Sequence, residues 1–305
     1  MAVFADRLVQ RMRRLGHPLC VGLDPHLDRI PPLFRKGSMA PGDPETAAAV
    51  EAFGRAVIGR VAAQAAALKP QSAFFEALGP PGVAALARLV AEARAAGLPV
   101  VLDAKRGDVG STAAAYAGAY LAPGAPLRAD ALTVSPYLGP DTLLPFVEAA
   151  EAGEAGLFVL VKTSNPGSGE VQDLRVGERP LYVEVARRLE GMARRLRGPE
   201  TEWSGLGVVV GATWPEPALA VREALPRSLF LVPGYGAQGA TARDALAGFV
   251  SGPDGRLEGG LVSSSRAVLF PEGGDTDDAR RWERAFDAAF DLAATDLAEA
   301  VQGPA

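Results

Sequence analysis

Leu98-Pro99-Val100-Val101-Leu102-Asp103-Ala104-Lys105-Arg106-Gly107-Asp108 is the stretch on which the fold turns. An apolar run ends in a crowd of charges, as a buried strand does where it leaves a sheet for a loop. Side chains alternate along a strand, so Asp103 and Lys105, two residues apart, share a face. Asp108 follows just past the strand end. A lysine between two carboxylates at such a place is either a structural ion network or a reaction site. Buried charges are retained only when they compensate one another.

Working outward, the same pattern recurs along the chain. Short apolar runs at 18–23, 65–69, 98–103, 130–134, 156–163, 206–212, 229–233 and 259–264 alternate with longer Ala/Leu/Arg-rich segments of helical period. Asp43-Pro44-Glu45 reads as an N-cap, a first-turn proline and a favourable acid. Val50, Phe53, Val57 and Val61 then recur at three- and four-residue spacing, one apolar stripe. Val83, Leu86 and Val90 repeat it, with Gly97 as a stop. Strands alternating with helices in this way predict an α/β fold, a closed parallel (β/α)8 TIM barrel, with 1–305 as one domain. The competing open, doubly wound sheet lacks its Gly-x-Gly-x-x-Gly after the first strand. The Pro/Gly-rich stretch 31–44 and the Arg/Gly stretch 194–205 read as insertions, and no internal repeat is evident.

Composition narrows the function classes. With 48% hydrophobic residues in 305, the chain has ample material for a large core. A net charge of −5 and no basic run argue against nucleic-acid or anionic-membrane partners. No apolar stretch approaches a membrane span, and Met1 to Arg7 lack a long apolar segment, so a cytoplasmic protein is expected. One cysteine and two histidines leave neither a disulfide framework nor the usual ligands of a structural zinc site. Cys20, inside an apolar run, reads as core packing.

Barrel enzymes keep their chemistry at the C-terminal ends of the strands. Here those ends read Gly22-Leu23-Asp24-Pro25, Leu68-Lys69-Pro70-Gln71, Asp103-Ala104-Lys105 and Lys162-Thr163-Ser164-Asn165, then Pro233 to Gly239 and Ser263-Ser264-Ser265-Arg266. Taken singly, Asp24 is an ordinary turn former before proline and Lys69 an ordinary rim lysine. Together, Asp24, Lys69, Asp103 and Lys105 converge on one axis, with Asp108 nearby. Gly234-Tyr235-Gly236 alone is a tight turn. With Gln238 and with Arg266 after the eighth strand, it becomes the phosphate position of this architecture, and a phosphorylated metabolite is the expected substrate. Arg106 reads as a surface or interface ion pair, and His26 as a loop residue.

Asp103-x-Lys105-x-x-Asp108, with Lys69 on the preceding strand and Asp24 on the first, resembles the orotidine 5′-phosphate decarboxylase family. The run Asp103-Ala104-Lys105-Arg106-Gly107-Asp108-Val109-Gly110-Ser111-Thr112 is similar to its signature. The resemblance runs from Val21 to about Phe270, and the 31–44 stretch resembles the longer bacterial subgroup. It implies cofactor-free conversion of orotidylate to uridylate and carbon dioxide, with no metal. Lys69, Asp103, Lys105 and Asp108 would form an alternating charged array. Asp103 would face the substrate carboxylate, and Lys105 would protonate C6. Asp24 and Lys69 would bind ribose hydroxyls, while Asp108 and Thr112 would complete the partner's site in a homodimer. Ser164, or in its place Asn165 or Thr163, would meet the pyrimidine edge. Gln238 and Arg266 would hold the phosphate. A magnesium-dependent 3-hexulose-6-phosphate synthase of the same superfamily is the nearer rival, although it places an acid on strand two, where this chain has Lys69. A non-catalytic phosphate-ligand sensor is the other, with no evident need of a proton donor such as Lys105.

Overall fold

The structure, a computed structural model, describes residues 3–236 and 239–303. Among them eight parallel strands alternate with helices: β1 (Leu19–Leu23), β2 (Ala67–Pro70), β3 (Val101–Arg106), β4 (Ala131–Val134), β5 (Gly156–Lys162), β6 (Ser204–Val210), β7 (Ser228–Val232) and β8 (Gly260–Ser264). They pair in the order β2-β1-β8-β7-β6-β5-β4-β3. The ring closes between β2 and β3 through the bridges Leu68↔Val100 and Gln71↔Asp103. This is the expected (β/α)8 barrel. The third strand starts at Val101 and carries the charged stretch as far as Arg106 inside the strand itself.

Alternation along the strands divides the core in two. Val21, Leu68, Leu102, Leu132, Leu157 and Val262 pack outward against the helices. Their neighbours Cys20, Ala67, Val101, Ala131, Phe158 and Leu261 form an inner cluster with Phe4, Leu8, Val9 and Met12. Those last four belong to a helix, Phe4–Leu15, that plugs the N-terminal end of the barrel. Phe4 meets Phe158 edge-on at 6.3 Å. Gly156 makes room for it, since a Cβ there would lie 2.3 Å from the Phe4 ring. Continued upward, the inner parity places Asp24, Lys69, Asp103, Lys105 and Thr133 at the opposite mouth.

The helix Pro44–Val61 starts as its sequence implies, with the Asp43 carboxylate accepting from the Glu45 N–H. In the stretch 31–44, Phe34 packs edge-on against Phe53 and Trp282, at 5.4 and 4.9 Å. The stretch 194–205 holds the end of helix Leu181–Arg195 and the turn into β6. Two short antiparallel pairs, Arg175–Val176 with Arg179–Pro180 and Val250–Ser251 with Leu257–Glu258, are additions that no periodicity announces. Among the described residues no helix is long and apolar enough to cross a membrane.

Candidate active site

At the C-terminal mouth four charges of alternating sign stand in a row. Lys69 Nζ lies 4.0 Å from Asp24 Oδ1 and 3.0 Å from Asp103 Oδ2. Lys105 Nζ lies 2.6 Å from Asp103 Oδ1. Asp103 and Lys69 are both buried. Burial pushes the Asp103 carboxyl up, but the adjacent Lys69 and Lys105 charges outweigh it and hold Asp103 well below the usual carboxylate range. Burial likewise pulls Lys69 down, and Asp103 and Asp24 overcome it, raising its ammonium above the ordinary value. Asp103 and Lys69 are therefore both charged across the neutral pH range. One atom in it is not satisfied: Asp24 Oδ1 is buried without a hydrogen-bond partner among the described residues.

The local fold that makes this row is irregular. Pairing of β3 with β4 shifts register between Leu102 and Arg106. Within that interval Lys105 adopts a left-handed backbone, φ +48°, which costs a non-glycine residue about 1–2 kcal/mol. A single hydroxyl holds the shape. Thr133 Oγ1, buried on β4, accepts from the Ala104 and Lys105 N–H groups at 3.0 and 2.9 Å. It donates to Asp103 Oδ1 at 2.9 Å. Gln71 Nε2 donates to the other carboxylate oxygen at 3.0 Å. Gln71 stands among the strand-end residues read from the sequence, without a role; Thr133 escaped that reading, although it is a polar residue at an inward position of an apolar run.

The lysine between two carboxylates is Lys69, not Lys105. Asp108 makes no ion pair within 4 Å among the described residues; its Oδ1 accepts from the Val109 N–H at 2.8 Å. Asp108 lies two residues past the end of β3, in the loop before helix Gly110–Tyr120, and not on the strand face that Asp103 and Lys105 share. Thr112, exposed on helix Gly110–Tyr120, also stands apart from the row. Arg106 is more than a surface ion pair. It pairs with Glu76, donates to Tyr120 Oη at 3.3 Å, and lies 5.6 Å over the Tyr116 ring.

The end of β5 is clamped. Thr163 N–H donates to Gln172 Oε1 at 2.9 Å, Trp214 Nε1 donates to the Thr163 carbonyl at 2.9 Å, and Gly211, just after β6, lets the end of β6 approach Ser164 closely. Ser164 and Asn165 follow on this fixed turn. After β7, Gly234 and Gly236 take φ +104° and +71°, and the Gly236 N–H donates to the Ala240 carbonyl at 3.0 Å. Tyr235 points away from the turn, its hydroxyl donating to Asp296 at 2.5 Å. Gln238 lies outside the described residues. Arg266, exposed at the start of a short helix after β8, has no ion pair within 4 Å among the described residues. His26 stacks edge-on with Phe74 at 4.6 Å. Burial pushes the Cys20 thiol up to about 12, as befits a core residue.

Comparison with known proteins identifies the family. Over residues 17–250 the chain matches the family model described as Orotidine 5′-phosphate decarboxylase / HUMPS family. It is 44% identical over 274 residues to the orotidine 5′-phosphate decarboxylase of Rhodopirellula baltica, covering 88% of this chain and 89% of that one. With the Streptomyces coelicolor protein of the same name it shares 47% over 244 residues, 80% and 83% of the two chains. The solved structure of Leishmania donovani OMP decarboxylase superposes with a TM-score of 0.75 at 37% identity, covering 99% of this chain and all of that one. The chain belongs to the orotidine 5′-phosphate decarboxylase / HUMPS family.

Proposed function

We propose that the row Asp24–Lys69–Asp103–Lys105 is the centre at which this chain decarboxylates orotidine 5′-phosphate to uridine 5′-phosphate and carbon dioxide. The carboxy-lyase activity follows the relatives that carry that name. The observation that carries the assignment of roles is Lys105 Nζ, held 2.6 Å from Asp103 on the inner face of β3. In the reaction the C6–carboxyl bond breaks, carbon dioxide leaves, and the electron pair stays on C6. The Lys105 ammonium stabilises that pair and then gives it a proton, to be replaced from solvent. At contact distance such a charge pair is worth roughly 4 kcal/mol at an effective dielectric of 20. Asp103 faces the departing carboxylate and holds Lys105 in place. No cofactor or metal enters this scheme.

Binding roles follow from position. The unsatisfied Oδ1 of Asp24 and the Lys69 ammonium suit ribose hydroxyls. Ser164, on the clamped turn, meets the pyrimidine edge. The backbone of Gly234 and Gly236, with Arg266 and Gln238, takes the phosphate. Asp108 and Thr112, standing apart from their own row, complete the site of a second copy in a homodimer. Exposed Val109, Tyr137 and Leu138 support a covered face. The chain acts as one domain and in the cytoplasm. The sugar-phosphate synthase reading is weaker, because Lys69 occupies the place of its acid and is pinned between two aspartates.

The test is loss of orotidylate absorbance with purified protein in excess EDTA, beside Lys105→Ala. Rapid loss in the wild type and none in the variant is the expected result. No loss with folded wild type would sink the proposal.

A further inference from the structure

The end of the barrel opposite the reacting charges carries a second concave site. Helix Phe4–Leu15 buries Phe4, Leu8, Val9 and Met12 in the barrel and presents Arg7, Arg11 and Arg14 along another stripe. Arg94, at the end of helix Gly79–Ala95, and Arg128, just before β4, face that stripe. The groove between them has a volume of about 680 Å³, within the range of roughly 300–1,000 Å³ typical of small-molecule sites.

Its electrostatics are unusual for a chain of net charge −5. The described lining holds five guanidinium groups and two carboxylates, those of Asp130 and Glu154. Two of the arginines are fixed by backbone carbonyls instead of by carboxylates. Arg11 donates to the carbonyls of Ala65 at 2.8 Å, Gly97 at 3.2 Å and Ala62 at 2.5 Å. Arg128 donates to the carbonyls of Leu121, at 2.8 Å, and of Gly153. The carbonyls of Ala62, Gly97, Leu121 and Gly153 lie at helix ends, and all of these carbonyls bring partial charges, not full ones. Asp130 is shared between Arg94 at 3.3 Å and Arg7 at 3.5 Å. Arg14 is exposed, with no ion pair within 4 Å among the described residues. Burial and the Arg14 charge hold Arg11 below its ordinary value, and burial and Arg94 do the same to Arg128. Like charges are thus pressed together on a rigid frame, a repulsion that an anion would relieve.

We propose that this groove binds a small polyanion with a linear di- or triphosphate chain, either free or as the tail of a nucleotide. Guanidinium forks match phosphate oxygens two at a time, and several planes fixed along a groove suit several linked phosphates better than one. Phe4, Leu8 and Leu98 also line the groove but are buried, so recognition is of charge. The inference is independent of the reaction assigned to the other mouth.

Calorimetric titration with sodium triphosphate, and separately with ATP, tests it on the wild type, Arg14→Glu and Arg266→Ala. The expected result is one saturable site that survives in Arg266→Ala and weakens at least about tenfold in Arg14→Glu. Arg14→Glu lies on an exposed helix face, where it can pair with Arg11, and its turnover should be that of the wild type. Arg14→Ala repeats the test without charge reversal. Tighter binding of ATP than of triphosphate would identify a nucleotide tail as the ligand, and equal binding the phosphate chain alone. Absence of saturable binding, loss of the site in Arg266→Ala, or indifference to both Arg14 variants would overturn the proposal.

Discussion

At the residue scale, Thr133 concentrates the design of the reacting mouth. Its hydroxyl receives two backbone N–H groups and gives one hydrogen bond to Asp103. Thr133→Val keeps the volume and removes all three. Leaving such groups unsatisfied costs about 1–3 kcal/mol, so turnover should fall about 10- to 100-fold with little change in KM. Thr133→Ser should recover most of it; a pure rise in KM would contradict this role. Asp103 also ties stability to acid. Its carboxyl is held low in the folded state by Lys69 and Lys105. The stabilisation is therefore complete above the unfolded value of about 3.9 and is lost as pH falls toward the folded one. Urea midpoints followed down from about pH 5 should drop more steeply for the wild type than for Asp103→Asn, a less stable protein from the outset. Asp103, Lys105 and Lys69 were legible because alternation and strand position expose them. Thr133 was not, since one hydroxyl in a short strand reads as filling. The place of Asp108 was hidden too, because it falls past the end of β3, where period two assigns no face.

At the scale of elements, the strands announced themselves through apolar runs, and helix Pro44–Val61 through its cap. The plug helix did not. Leu8, Val9 and Met12 carry a helical spacing, but the pattern of a barrel predicts strands and outer helices, and a plug belongs to neither. Phe4 makes the plug matter. It is 1% exposed, and Gly156 leaves space for its ring and little else. Phe4→Ala should cost about 3–5 kcal/mol, read as a lower denaturant midpoint at unchanged slope. Turnover of the folded fraction should stay near that of the wild type, because the plug and the reacting row lie at opposite ends. A cost under about 1 kcal/mol would mean the barrel floor repacks freely.

At the scale of the molecule, the proposed homodimer makes a prediction that no single chain can meet. Lys105→Ala and Asp108→Ala are each expected to be inactive. Mixed and allowed to exchange subunits, they should regain part of the activity, since one hybrid site then receives Lys105 from one chain and Asp108 from the other. Exchange without recovery would disprove the shared site. Charge at this scale was only half legible. The net value is a property of composition, but the arginine groove joins residues from position 7 to position 128 that only the closed barrel brings together. Closure itself has a last consequence. Between β2 and β3 the wall is joined by two isolated bridges, whereas β1 and β2 pair through four residues. Lys69 and Gln71 stand on one lip of that seam and Asp103 on the other. The charges proposed to act on substrate are thus also a clasp on the loosest joint of the ring. Amide hydrogens along 68–71 and 100–103 should report the opening of that joint, exchanging with solvent water sooner than those of its neighbours and sooner still when Asp103 is replaced. The reaction centre and the hinge on which the barrel breathes would then be one place.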